Sequence, residues 1–532
     1  MLFTLVTFVG FTALVALISY VKTKGSDETS ADGYFLGGRS LSGLVIMGSL
    51  MMTNLSAEQL VGRNGQGYSA GMTAMGWEAM CPIALTLLAL FFIPRYLKRG
   101  ITTIPEFLEE RFDRTTRVLI SAIYMGAYIL CSLPLVLYSG SVVFENIFNI
   151  SALLNGNRFI AIAICCVALG VIGGIYAIFG GLKAVAVSDS LNGILFIAGA
   201  GLLVPILAFI ALGSGSLADG ARTFLTAAPD HLNTIWPYDA QAPYIPWPMI
   251  IIGCGINHVS YWCTNQSIIQ RTLGAKSLAE GQKGALLAGF LCVFCPLFLV
   301  CPGIIQYIMD GGSLEIFDQA YPVLINTILP KPVLGFFAAA MFGAILSSFN
   351  SVLNSTMTLF TLDVLPAISK KQRNDAENVK IAKTFGSILC IASILIAPFV
   401  MYIPAGIGTF LNTMWGYYGV PGLAIVVMGM LNSRVPNFAP KVMLALHVIV
   451  YGIMLNTIPL HFLYFETAAF VLDLVFLWAC AKIKPRPEPY IMKDEAPVDM
   501  TPWKYRWPVV IGTFVLLAAV YLLFSPLGVG SM

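Results

Sequence analysis

Asn54-Leu55-Ser56-Ala57-Glu58-Gln59 interrupts an apolar run that extends from Gly43 to Gly62. The whole run is long enough to cross a bilayer at about 20 residues per span, but neither flank is long enough alone. Lipid supplies no hydrogen bonds, so polar side chains and unwound backbone at membrane depth occur where a protein-lined cavity satisfies them. The stretch therefore predicts a discontinuous transmembrane helix with a binding site at its break, in preference to a solvated loop between two short helices.

The surrounding composition puts that break in a membrane. Hydrophobic residues make up 58% of the 532-residue chain and charged residues 11%, and the mean hydropathy is +0.82, far above that of a domain with a wet surface. Fourteen apolar spans can be counted: 2–20, 43–66, 74–95, 118–146, 158–178, 184–212, 247–267, 284–309, 332–365, 381–403, 406–431, 437–456, 460–481 and 507–527. Loops after the odd-numbered spans hold 26 of the 30 Lys and Arg; Arg63, Arg158, Arg222 and Lys331 are the remaining four. The positive-inside rule then predicts odd loops in the cytoplasm and both termini outside. The first span has no preceding basic residue and no convincing cleavage site, so it is expected to stay as a helix.

Span seven repeats the pattern of span two. It reads Asn257-His258-Val259-Ser260-Tyr261-Trp262-Cys263-Thr264-Asn265-Gln266, polar and aromatic at depth, five spans later. An odd offset means that the two halves enter the membrane in opposite directions, the inverted-repeat plan of secondary transporters with a midplane site. The expected fold class is thus all-α and polytopic, with a 5+5 inverted-repeat core and discontinuous helices two and seven. Expected units are 1–42 (first helix and cytoplasmic loop), 43–212 and 247–431 (the two repeats) and 437–532 (three peripheral helices). The 213–246 connection carries Pro229, Pro237, Pro243 and Pro246 among aromatics and is expected to fold over an entrance.

Candidate ion ligands are hard oxygens, which suit an alkali cation. Ser347 and Ser348 supply hydroxyls, an unwound turn from Met52 to Leu55 releases carbonyls, and Ala344 lies one turn before Ser347. Paired serines also occur simply as small packing residues that bond the carbonyl four back. Candidate solute ligands are Gln59, Glu78, His258 and Asn265 with the aromatics Trp77, Tyr261 and Trp262, since carboxamides and carboxylates match adjacent hydroxyls while a ring covers the apolar face of a sugar. Asp189 suits either a cation leaving toward the cytoplasm or a cap on span six. Arg63 is placed to close the cavity by pairing or bulk, and Glu58 to hold the unwound turn. Glu466 and Asp473 receive no function. All eleven Cys fall inside spans, with no CxxC pair or His/Cys ligand cluster along the chain, which reads as apolar packing. A nucleophile with a His base, a metal triad, a phosphate loop and a basic nucleic-acid tract are all missing from the sequence, so neither an enzyme nor a nucleic-acid partner is expected.

Several stretches in order carry a resemblance: Asp32-Gly33-Tyr34-Phe35-Leu36-Gly37-Gly38-Arg39-Ser40-Leu41, Asn54 to Gln59, Thr103-Ile104-Pro105-Glu106-Phe107-Leu108-Glu109-Glu110-Arg111-Phe112, Gly180-Gly181-Leu182, Gln266 through Thr272, Ala320-Tyr321-Pro322 and Ser347 through Thr356. The chain resembles the sodium/solute symporter family, within it the bacterial sodium–sugar cotransporter branch, from the first span to about the eleventh. The resemblance implies Na⁺-driven solute uptake by alternating access at a bacterial inner membrane. It implies Na⁺ at Met52, Leu55, Ala344, Ser347 and Ser348, and sugar at Asn54, Gln59, Glu78, Cys81, His258 and Cys292. Tyr261 and Trp262 fall on the inner gate and its neighbour, and Asp189 on the ion's way out. His258 replaces an Asn, Cys292 a Lys and Cys81 a Ser of that branch, a binding Gln is replaced near Asn412-Thr413, and Arg63 takes an apolar gate position. The expected function is Na⁺ symport of a sugar or sugar-like polyol. A carboxylate or amino-acid solute and a non-transporting sensor are the alternatives.

Overall fold

The computed structural model describes residues 2–23, 30–236, 245–369, 371, 373–402 and 407–530. Among them the chain is almost wholly helical, with no strand beyond three isolated bridges. Ten helices are long and apolar enough to cross a membrane, and the bent pair Leu278–Cys292 and Pro296–Asp310, at 48° to each other, makes an eleventh. Of the fourteen apolar runs, the first, second and seventh do not reach that standard. The second and seventh fall short because they are broken and polar at depth.

Span two divides into Gly43–Asn54 and Ala57–Ala70. Leu55 (φ −80°, ψ 81°) and Ser56 (φ −98°, ψ 173°) leave helical geometry between them. Ser56 is a favoured N-cap residue, and its hydroxyl accepts from the Gln59 N–H at 3.4 Å. Span seven divides into Trp247–Thr264 and Gln266–Leu273 at the single residue Asn265. There the side chain accepts from the Ser267 N–H at 3.0 Å, so the amide caps its own helix.

The two broken spans run in opposite directions. Leu41, before span two, exchanges backbone bonds with the end of span seven: its N–H donates to the Gly274 carbonyl, and its carbonyl accepts from Lys276. At the other end, Trp77 and Met80, which follow span two, pack with Met249 and Ile250 at the start of span seven. Gly71 (φ +72°) ends the second half of span two, and a Cβ there would lie 2.3 Å from the His231 carbonyl oxygen, so only glycine fits.

Connections pin the halves together. Thr103 and Glu106 form a complete capping box at the start of Ile104–Arg111, with proline in its first turn. Arg111 then donates to the carbonyls of Gly429 (2.9 Å) and Asn432 (2.7 Å) at the end of span eleven. Burial pulls its guanidinium down to about 10, so it stays charged at neutral pH. The described part of the 213–246 connection forms Leu217–Ala227 and Pro229–Leu232. His231 stacks on Tyr307 and contacts the Tyr68 carbonyl at 3.3 Å, so this connection sits against the end of span two. Pro237 and Pro243 lie outside the described residues.

Candidate functional site

A cavity of about 140 Å³ opens where the two breaks face each other. Asn54, Gln59, Glu78, His258, Tyr261 and Asn265 all line it, together with Trp77 and Ser348. Trp262 does not. It is fully buried, its ring sits edge-on to Tyr261 at 5.5 Å, and its indole N–H has no partner. The physical reason is helical phase at 100° per residue: Asn257, His258, Tyr261 and Asn265 share one stripe, and Trp262 falls at its flank.

Charge in the cavity is balanced locally. The Asn54 amide donates to Glu78 Oε2 at 2.9 Å, and the Arg63 guanidinium stands 4.0 Å from Glu78 Oε1. Arg63 also donates to Gln59 Oε1 (2.9 Å) and Gln66 Oε1 (3.0 Å), and it lies 4.8 Å above the Trp77 ring. One cation and one anion therefore meet among amides and an aromatic face, both below a tenth exposed. Arg63 lies inside the cavity as well as at its rim. The Glu58 side chain lies outside the described residues.

Several lining residues were not singled out by sequence reading. Asn257 lines the cavity and donates at 3.1 Å to Glu466 Oε2 on span thirteen. Trp415 packs 5.4 Å from Tyr261 and donates to the Ser260 hydroxyl at 2.6 Å. Tyr128 donates to Asn265 Oδ1, and Tyr418 completes the wall. Asn257 was legible as part of the polar stretch. The aromatics on spans four and eleven were not, since a ring in an apolar span reads as core.

Of the ion candidates, Leu55 forms the first break and Ser348 reaches across to it. In an unbroken helix the Ser56 N–H would bond the Met52 carbonyl; here it bonds Asn54 O at 3.0 Å, which frees Met52 from the ladder. Ser348 Oγ reaches across from span nine to the Thr53 carbonyl at 3.4 Å. Ser347 Oγ is buried beside Asp189 with no hydrogen bond of normal geometry. Ala344 is fully buried one turn away. Hydroxyls, a carboxylate and a freed backbone carbonyl are hard oxygen donors of the kind that suits an alkali cation, and they offer nothing to a soft metal.

Asp189 lies within the helix Arg158–Phe196, so the reading of it as a cap on span six is corrected. Its Oδ2 accepts from Ser49 at 2.8 Å and stands 3.6 Å from the Arg271 guanidinium, while Oδ1 is buried without a partner. Arg271 is fully buried and also donates to Ser49, Ser267 and Ser351. It thereby ties spans two, six, seven and nine below the cavity. Asp473, left without a role by the sequence, pairs with His447 at 2.7 Å, and His447 contacts the Gly416 carbonyl at 2.9 Å.

The profile of the Sodium:solute symporter family matches residues 34–438. The chain belongs to that family, and its coupling ion is Na⁺. It is 43% identical over 530 residues to the "Uncharacterized symporter YidK" of Escherichia coli (strain K12), covering 99% of this chain and 90% of that one. It is 33% identical over 434 residues to the sodium/glucose cotransporter of Vibrio parahaemolyticus, covering 77% and 76%. Among solved structures, a substrate-bound, outward-open Na⁺-coupled sialic acid symporter superposes with a TM-score of 0.78 at 21% identity, over 92% of this chain and 99% of that one. That likeness shows the fold, a multi-pass LeuT-type membrane protein.

Proposed function

We propose that the chain carries a neutral sugar or sugar-like polyol inward with Na⁺, by alternating access at the cavity between spans two and seven. The observation that carries the solute class is the Arg63–Glu78 pair. With these charges balanced, the cavity offers amide and carboxylate partners to hydroxyls and an indole face to a ring, but no net charge to a free carboxylate. This weighs against the carboxylate and amino-acid alternatives. The likeness to the Vibrio sodium/glucose cotransporter supports the same class.

Asn54, Gln59, Glu78, His258 and Asn265 bind hydroxyls in this proposal, Tyr261 closes the inner side, and Trp262 backs Tyr261 without touching solute. Na⁺ sits against Met52, Leu55, Ala344, Ser347 and Ser348, and Asp189 draws it toward the cytoplasm. Because the ion bridges span nine to the break in span two, it stabilises the arrangement in which Asn54 and Gln59 face the cavity, and the solute binds the population so shifted. Fourteen spans with repeats at 43–212 and 247–431, peripheral segments at 1–42 and 437–532, both termini outside and a bacterial inner membrane complete the proposal.

The test is uptake of radiolabelled sugars and polyols into proteoliposomes, with and without an inward Na⁺ gradient. Gradient-driven accumulation of at least one neutral sugar is expected. Binding without flux would indicate the sensor, and accumulation of carboxylates alone would overturn the solute class.

A further inference from the structure

The sequence shows no cluster of soft ligands, yet folding assembles one against the cavity wall. Glu78 and Cys81 come from span three, Cys292 from span eight and His258 from span seven. One ligand atom each from Glu78, Cys81 and Cys292 lies within 4.8 Å of the others. Cys81 Sγ is 3.9 Å from Glu78 Oε2 and 3.7 Å from His258 Nδ1. All four residues are at most 5% exposed.

Two thiols, a carboxylate and an imidazole nitrogen are the donor types of a tetrahedral zinc-class centre, with metal–sulfur bonds near 2.3 Å and metal–nitrogen bonds near 2.0–2.1 Å. Such bond lengths put neighbouring ligand atoms roughly 3.3–3.8 Å apart. The Cys81 separations of 3.7 and 3.9 Å are close to this, and the atoms of Glu78, Cys81 and Cys292 lie within 4.8 Å of one another, so side-chain rotation draws those three together, and His258 meets the set through Cys81. The surroundings suit a soft ion as well, because the Met51 thioether lies 3.8 Å from Cys292 Sγ. Glu78 and His258 line the cavity, which provides a route in. This donor set differs from the hydroxyls and carbonyls at the break, and the two centres take different ions.

We propose that Glu78, Cys81, Cys292 and His258 form a binding site for one thiophilic divalent cation of the Zn²⁺/Cd²⁺ class. Occupancy withdraws the Glu78 carboxylate from Asn54 and from the cavity. Cation and solute therefore exclude each other, and this second step rests on the solute site proposed above.

Tag-free purified protein is titrated with Cd²⁺ and followed by the ultraviolet sulfur-to-cadmium charge-transfer band. One Cd²⁺ per chain is expected, with affinity lowered at least about tenfold in Cys81→Ser and in Cys292→Ser. X-ray absorption on the wild type with Zn²⁺ bound supplies a readout that survives if either variant fails to fold: two sulfur and two oxygen or nitrogen neighbours are expected. No band, or a shell without sulfur, overturns the site. Neither measurement needs a solute, so failure of the sugar proposal leaves both readable. In proteoliposomes, saturating Zn²⁺ should cut Na⁺-driven uptake of the sugar carried by at least tenfold, and Cys292→Ser should restore uptake relative to its own zinc-free rate. Unchanged uptake with the site filled overturns the exclusion.

Discussion

The two helix breaks are built differently. In span seven a single residue leaves the helix, and its side chain serves the backbone directly: Asn265 Oδ1 takes the Ser267 N–H at 3.0 Å, the Ser267 hydroxyl at 2.8 Å and the Tyr128 hydroxyl. In span two the departure covers Leu55 and Ser56, the cap is a longer bond of 3.4 Å, and the link to span nine through Ser348 is also 3.4 Å. The first break is held as well, by Leu55 N–H to the Met51 carbonyl at 2.7 Å, Asn54 to Glu78 at 2.9 Å and a Thr53–Ser351 hydroxyl contact at 3.2 Å, but its cap and its Ser348 link are longer than the bonds at Asn265. With Na⁺ placed as proposed, this difference makes span two the ion-sensitive hinge and span seven the fixed wall.

The strongest attack on that assignment is Glu78→Gln. It removes the anion facing Arg63, and breaking a buried pair costs about 3–5 kcal/mol. Solute binding should be abolished and the thermal midpoint in detergent should fall; retained affinity would take Glu78 out of the site. Ser348→Ala comes next. It should raise the Na⁺ concentration for half-maximal uptake by about 5–150-fold, the range of a 1–3 kcal/mol coupling, while labelled-solute binding measured without Na⁺ stays as in the wild type. Unchanged sodium activation would move the ion away from the first break. Tyr128→Phe removes one of three bonds at Asn265, worth about 1 kcal/mol, and should lower solute affinity about fivefold with the Na⁺ requirement intact. A shift in Na⁺ dependence instead would mean that span seven also senses the ion. Ser56→Ala should do least: caps are worth about 0.5–2 kcal/mol, and this long one should fall at the lower end, visible as a small loss of thermal stability. A loss as large as that of Glu78→Gln would show that the first break is as tightly held as the second.

Much of this plan is legible along the chain because the membrane makes local sequence decisive. An unpaired polar group in lipid is costly wherever it occurs, so Asn54 to Gln59 and Asn257 to Gln266 mark the breaks before any tertiary contact is known, and their odd separation in spans orients the halves. Six of the seven solute candidates reach the cavity for the same reason. The errors share a cause as well. Trp262 suits a sugar ring as an aromatic beside Tyr261, but its helical phase turns it from the stripe of His258, Tyr261 and Asn265. Of the two readings of Asp189, an ion's way out and a helix cap, the cap fails because a helix runs through it, and its carboxylate stands 3.6 Å from Arg271.

What folding alone decided is pairing across the chain. Asn257 meets Glu466 across 209 residues, Arg271 meets Ser49 across 222, and Cys292 approaches Met51 across 241. Nothing in the local pattern of either partner specifies the other, since the two lie on segments hundreds of residues apart. The amino-acid sequence by itself determined that this chain lives in a bilayer and where its helices must open, because burial in lipid penalises each polar residue one by one. Only helix packing determined which charges cancel, which rings form the wall and which thiols meet, because those are properties of pairs.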